Sequence, residues 1–319
     1  MTSSDLPSSK NEPIWRTLAP FAMAVGLIAF VLSRLDFEAF LKAMRHVNHL
    51  ALAAFAVTFL LALLVTDCFA TRETYRRTVT DVDFKSLLVL RAASYLPSIL
   101  SHHLGQAWLT YFLAKVYKAP VWRVAGATLV VYATVLGGLV IISAAALPFK
   151  AAAVPWLAPA LGLLLSLAVV YLVVLQRRPA FLLRRQVTAP LVELGVQGHL
   201  MLVLYRVPHL VVLFFGNWIP FELFGVHIPL ADALMLIPVV MLVASLPITP
   251  QGVGTRDAVA LQLFAGFATG SPSERAATLA AATLSFAVSI TLAQLLLSPL
   301  FLARARQLLA GDQPARPNP

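Results

Sequence analysis

The stretch SLLVLRAASYLPSILSHHLGQAWLTYFLA, residues 86–114, is apolar enough to enter a membrane and too interrupted to cross one. Pro97, Ser98, Ser101, His102, His103 and Gly105 divide it into helical pieces of about 11 and 10 residues. At 1.5 Å per residue, neither piece reaches across a hydrocarbon core of ~30 Å. The stretch reads as a re-entrant hairpin. Residues 231–267 repeat the pattern, broken at LPITPQGVG, residues 246–254, with a short apolar piece starting near Thr255. This reads as a second hairpin, whose first arm of about 16 residues nearly spans.

The rest of the chain agrees with a membrane setting. Of 319 residues, 60% are hydrophobic and 12% charged, against roughly 45–50% apolar in soluble chains. A soluble fold is therefore excluded, and function has to reside in the membrane. Full-length apolar runs lie at 17–33, 50–66, 123–147, 154–175, 199–216 and 275–300. The run at 17–33 has charged flanks but no small-residue cleavage site, so it reads as a retained span. The expected fold is an all-α polytopic membrane protein with six spanning helices and two re-entrant hairpins. The order span, span, hairpin, span occurs twice, over 17–147 and 148–300, between flexible tails at 1–16 and 301–319. Each half crosses three times, so the second half is inverted relative to the first, as in inverted-repeat transporters.

Charge fixes the expected orientation. Arg72, Arg76, Arg77 and Lys85 precede the first hairpin, and Lys115, Lys118 and Arg123 follow it. Both flanks therefore read as cytoplasmic. Arg177, Arg178, Arg184 and Arg185 mark the next inner loop and Arg304, Arg306 and Arg316 the C-terminus, which places both termini inside. Arg34, Lys42 and Arg45 sit in the first outer loop against this trend. The net charge of +10 suits anionic headgroups but names no partner. A single cysteine, Cys68, excludes an internal disulfide or a multi-cysteine metal site and reads as core packing.

Broken helices at membrane depth leave backbone groups that need partners, and helix starts after Gly105 and Gly254 would point free N–H groups at the breaks. Two such ends make an anion site. Ionisable residues at this depth are candidates for function. Arg256 and Asp257 follow the second break as substrate contacts or as a structural pair. Arg91 lies on the first hairpin and Arg206 interrupts a span, each as a contact or a snorkelling or carbonyl-paired residue. His102 and His103 serve as hydrogen bonders lining a cavity or as proton carriers, while Gln106 and Thr249 offer uncharged hydrogen bonds. Asp67, Glu73, Asp232 and Glu222 fall near span ends and read as solvated. No phosphate-cradling G-x-x-x-x-G-K-[ST], zinc-binding H-E-x-x-H or nucleophilic G-x-S-x-G motif is present. No cofactor, metal or nucleic acid is expected.

The segment from Leu246 to Asp257 resembles a motif of the lysylphosphatidylglycerol synthase transmembrane, or flippase-like, family, roughly P-x-[ST]-P-G-G-x-G-x-R-E. Pro247, Thr249, Pro250, Gly252, Gly254 and Arg256 fit, whereas Gln251 replaces a glycine and Asp257 a glutamate. The break at residues 97–106 is similar to the family's first broken segment. The resemblance implies a lipid-translocating domain of a bacterial inner membrane. No attached aminoacyl-transferase domain is expected, since 19 residues follow Leu300. Membrane lipids and lipid-biosynthesis enzymes are the implied partners. The expected activity is a flippase or scramblase for an anionic lipid, with Arg256 on a headgroup phosphate and Thr249, Gly252, Gly254 and Arg91 around it. Alternatives are an enzyme or enzyme partner acting on a polyprenyl-phosphate or hopanoid intermediate, with His102, His103 or Asp257 as acid or base, and a secondary transporter of a small anion.

Overall fold

The computed structural model describes residues 37–150, 155–245 and 255–310. Among them there are helices and no strands: α1 (Phe37–His46), α2 (His49–Thr78), α3 (Phe84–Leu100), α4 (His102–Val116), α5 (Val121–Lys150), α6 (Leu157–Arg177), α7 (Ala180–Leu183), α8 (Ala189–Leu223), α9 (Leu230–Ser245), α10 (Thr255–Phe264) and α11 (Pro272–Ala310). Five segments are long and apolar enough to cross a membrane: α2, residues 121–145 of α5, α6, α8 and α11. They coincide with five of the six expected spans, and the sixth, 17–33, lies outside the described residues. The expected all-α polytopic membrane fold is the fold observed. The helices outrun the apolar stretches because polar residues at their ends continue the winding. α2, for example, runs on from Asp67 to Thr78.

The first hairpin departs from the expected geometry. Its arms are 17 and 15 residues long, and the single break is at Ser101, with backbone φ −162° and ψ 133°. The second arm starts at His102 rather than after Gly105. Pro97 stays inside α3 because a neighbouring helix repairs the gap it leaves. Proline has no N–H for the carbonyl four residues earlier. Ser298 of α11 donates its hydroxyl to that Ala93 carbonyl at 2.9 Å and accepts the Leu96 N–H at 3.1 Å. Gly105 lets the two arms close up, because a Cβ there would collide with the Ser98 side chain. In the second hairpin α9 has the expected length, but the break at 246–254 lies outside the described residues.

α1 occupies the region read as an outer loop. Its apolar residues Phe37, Phe40, Leu41 and Met44 share one side of the helix, with Arg45 and Lys42 on the flank beyond Leu41, and Met44 reaches Ser285 of α11. Two of the three residues that defied the charge rule, Lys42 and Arg45, are therefore on the polar side of an amphipathic helix, and Arg34 lies outside the described residues.

Apolar burial does not drive helix association in lipid, so close approach and polar ties decide which helices meet. α2 and α8 form an antiparallel seam. Asp67 pairs with Arg206, Phe69 with Tyr205 at 5.7 Å, and Phe59 lies on Gly216, where a side chain would strike its ring. Around the seam the contacts recur in pairs: α3 packs on α11 as α9 packs on α5, and α4 packs on α5 as α10 packs on α11. At one end of the bundle, Arg123 donates to the Thr78 carbonyl at 2.9 Å and pairs with Glu193 at 2.6 Å, joining α2, α5 and α8. That end gathers most of the basic residues, whereas the opposite end carries Glu38, Glu222, Asp232 and Glu274 among few cations.

Asp83 caps α3, its carboxylate accepting the Ser86 N–H at 2.8 Å. Partial burial pushes this carboxyl up and the Ser86 bonds pull it down, leaving it below the usual carboxylate range. A depressed native value means stability present above the unfolded pKa of about 4 and lost as pH falls through the native value. Asp83→Ala should therefore cost about 1 kcal/mol at neutral pH. Its deficit in thermal midpoint relative to wild type should shrink below about pH 4.

Candidate functional site

The polar centre of the bundle is built on Asp67. This carboxylate sits on α2, whose last three turns also bury Thr71, Thr74 and Thr78, and it is 6% exposed. Arg206, fully buried on α8, donates to Asp67 Oδ1 at 2.7 Å and to Thr71 Oγ1 at 2.8 Å. Thr71 in turn donates to Asp67 at 3.1 Å. Arg91 approaches from α3, its Nε 2.8 Å from Asp67 Oδ2, and donates through Nη1 to Gln106 Oε1 on α4 at 3.1 Å. Its guanidinium also lies 5.7 Å from the centre of the Tyr95 ring. Two expected residues, Arg91 and Arg206, thus converge on one carboxylate, a third, Gln106, joins through Arg91, and α3 and α4 are tied through this cluster to α8.

Asp67 itself was read as solvated at a span end. It is instead enclosed in the bundle and paired. The reason is that its helix does not stop where the apolar run stops. Glu73 is likewise buried on the same helix, bound by Arg76 and Arg77. Arg206 interrupting an apolar run was the available signal that a buried acid had to partner it, but the sequence did not point to Asp67 as that acid.

His102 stands at the start of α4, its ring 6.1 Å from Tyr132 and 6.0 Å from His103. His102 is half-buried and His103 exposed. His209, one turn along α8 from Arg206, is buried beside the cluster.

Arg256 and Asp257 form a separate locus. Arg256, in the first turn of α10, reaches Asp257 Oδ1 through Nη2 at 3.3 Å and Nε at 3.4 Å. It lines a small cavity of about 20 Å³ with Gly216, Asn217, Val240, Thr283 and Phe286. That is room for about one water molecule, so a headgroup reaches Arg256 only if the cavity widens. Gly216 is ten residues from Arg206 along α8, about 15 Å, so the cavity and the Asp67 cluster are distinct stations on one helix. Thr249, Gly252 and Gly254 lie outside the described residues. Among the described residues, no group of three or more His, Cys, Asp or Glu is arranged to hold a metal ion.

These features define a polytopic α-helical membrane protein with a buried ionic core and an arginine-lined cavity in its second half. Residues 17–298 match the family described as the lysylphosphatidylglycerol synthase TM region, and the chain belongs to that family. No curated protein and no solved structure matches it.

Proposed function

We propose that the protein moves an amphiphilic, anionic lipid across the bilayer, with the headgroup in a polar cleft between the two hairpins and the acyl chains left in lipid. The observation that carries this reading is Arg256. A guanidinium facing a cavity within the membrane bundle is held by one neighbouring carboxylate at 3.3 Å, a long contact for a charge-assisted bond. It keeps donors for an incoming phosphate, in the planar fork that suits one. The family supports a membrane lipid as the cargo. The antiparallel seam and the paired contacts around it support two inverted halves, 17–147 and 148–300, with re-entrant hairpins entering from opposite faces. The basic end of the bundle supports a cytoplasmic position for that end and for both termini, in a bacterial inner membrane.

Liposomes carrying labelled anionic and zwitterionic lipids test the proposal. Arg256→Gln should slow translocation of the anionic lipid by about 10-fold or more, and Arg256→Lys less, because lysine keeps the charge but not the fork. If Arg256 serves only to hold Asp257, Arg256→Gln combined with Asp257→Asn should restore stability and transport together. Full translocation of anionic lipid by well-folded Arg256→Gln would refute the assignment.

A further inference from the structure

Five buried side-chain atoms have no hydrogen-bond partner among the described residues: Arg91 Nε, Arg206 Nε, His209 Nδ1, Tyr132 Oη and Ser143 Oγ. Four of the five belong to the Asp67 cluster or to side chains within its electrostatic reach. Arg91 Nε lies against Asp67 Oδ2, but its N–H does not point along the contact. All four can donate, His209 in its Nδ1–H tautomer. What the cluster lacks is therefore an acceptor.

It also lacks a charge. Arg91 and Arg206 are both permanently cationic. Among the described residues the single carboxylate paired with either of them is Asp67, which leaves a surplus of one positive charge in the membrane interior. An uncompensated buried charge is far costlier than an unpaired neutral donor. Water would satisfy the donors and leave the charge. Access is provided at Arg91, whose side chain is 14% exposed against 1% for Arg206.

We infer that the Asp67–Arg91–Arg206 cluster is completed by one bound monovalent anion, held at Arg91 with Tyr132 and His209 as flanking donors. A small inorganic anion and the phosphodiester of a lipid headgroup supply the same chemistry. The inference does not rest on the transport reading, and it is tested by binding rather than by translocation.

The experiment compares the thermal midpoint of the purified chain in neutral detergent in sodium gluconate, chloride, bromide and sulfate at equal ionic strength. The gluconate sample is then repeated with added short-chain phosphatidylglycerol or phosphatidylcholine. A saturable rise of about 5 °C is expected with the monovalent ligand. A response to halide identifies a small ion; a response to phosphatidylglycerol, with none to halide or phosphatidylcholine, identifies a headgroup. Arg91→Gln leaves Asp67 and Arg206 as a balanced pair, so this variant should fold and lose the response. Asp67→Asn raises the surplus to two and should enlarge it. Equal midpoints for wild type in every salt and lipid, or an undiminished response in Arg91→Gln, would overturn the inference.

Discussion

Asp67→Asn is expected to destabilise the protein by about 3–5 kcal/mol, the cost of stranding a buried charge whose partner is removed. Arg206 would keep its Thr71 bond and lose its 2.7 Å contact with the carboxylate, and Arg91 would lose the one acid it pairs with among the described residues. The readout is folded yield and denaturation midpoint in detergent. The decisive comparison is with Asp67→Asn combined with Arg206→Gln, which returns the cluster to its original surplus of one charge. The double variant should regain most of the loss. If Asp67→Asn alone is as stable as wild type, the cluster is not the structural centre assigned to it.

The second large effect concerns Ser298. Ser298→Ala removes the hydroxyl that satisfies the Ala93 carbonyl, and a stranded buried carbonyl costs about 1–3 kcal/mol. The effect is tied to Pro97, because that carbonyl lacks its helical donor only while residue 97 is proline. In a Pro97→Ala background the helix supplies the N–H itself, and Ser298→Ala should then cost clearly less. A double-mutant cycle on the denaturation midpoint measures the coupling. Equal costs in the two backgrounds would mean that the Ala93 carbonyl is not what makes Ser298 matter.

The same two residues mark where the sequence was legible and where it was not. Apolar runs at helical length gave five spans directly, because in lipid the backbone must satisfy itself and only a helix does so within one segment. That residues 86–114 are broken into two helices was visible as an interrupted apolar run. Where it breaks was not visible, since Pro97 remains helical only by virtue of a serine some two hundred positions away. α1 was hidden because its charges alternate with its apolar residues, which reads as a loop to hydropathy and as an amphipathic face to a helix. In the site, Arg91, Gln106 and Arg206 stood out as polar groups at depth. Asp67 did not, because it is the first residue after the apolar run that ends at Thr66, and only its partners on other helices show it to be interior.

The α2–α8 seam has a kinematic consequence. The Asp67–Arg206 pair pins the two helices at one height, and the Phe59–Gly216 contact pins them again about 15 Å away. Two fixed points on a line of contact remove both sliding along it and pivoting about either one. The seam is therefore the fixed line of the bundle, and a rearrangement of its helices would fall to those packed around it, α3 with α4 on one side and α9 with α10 on the other.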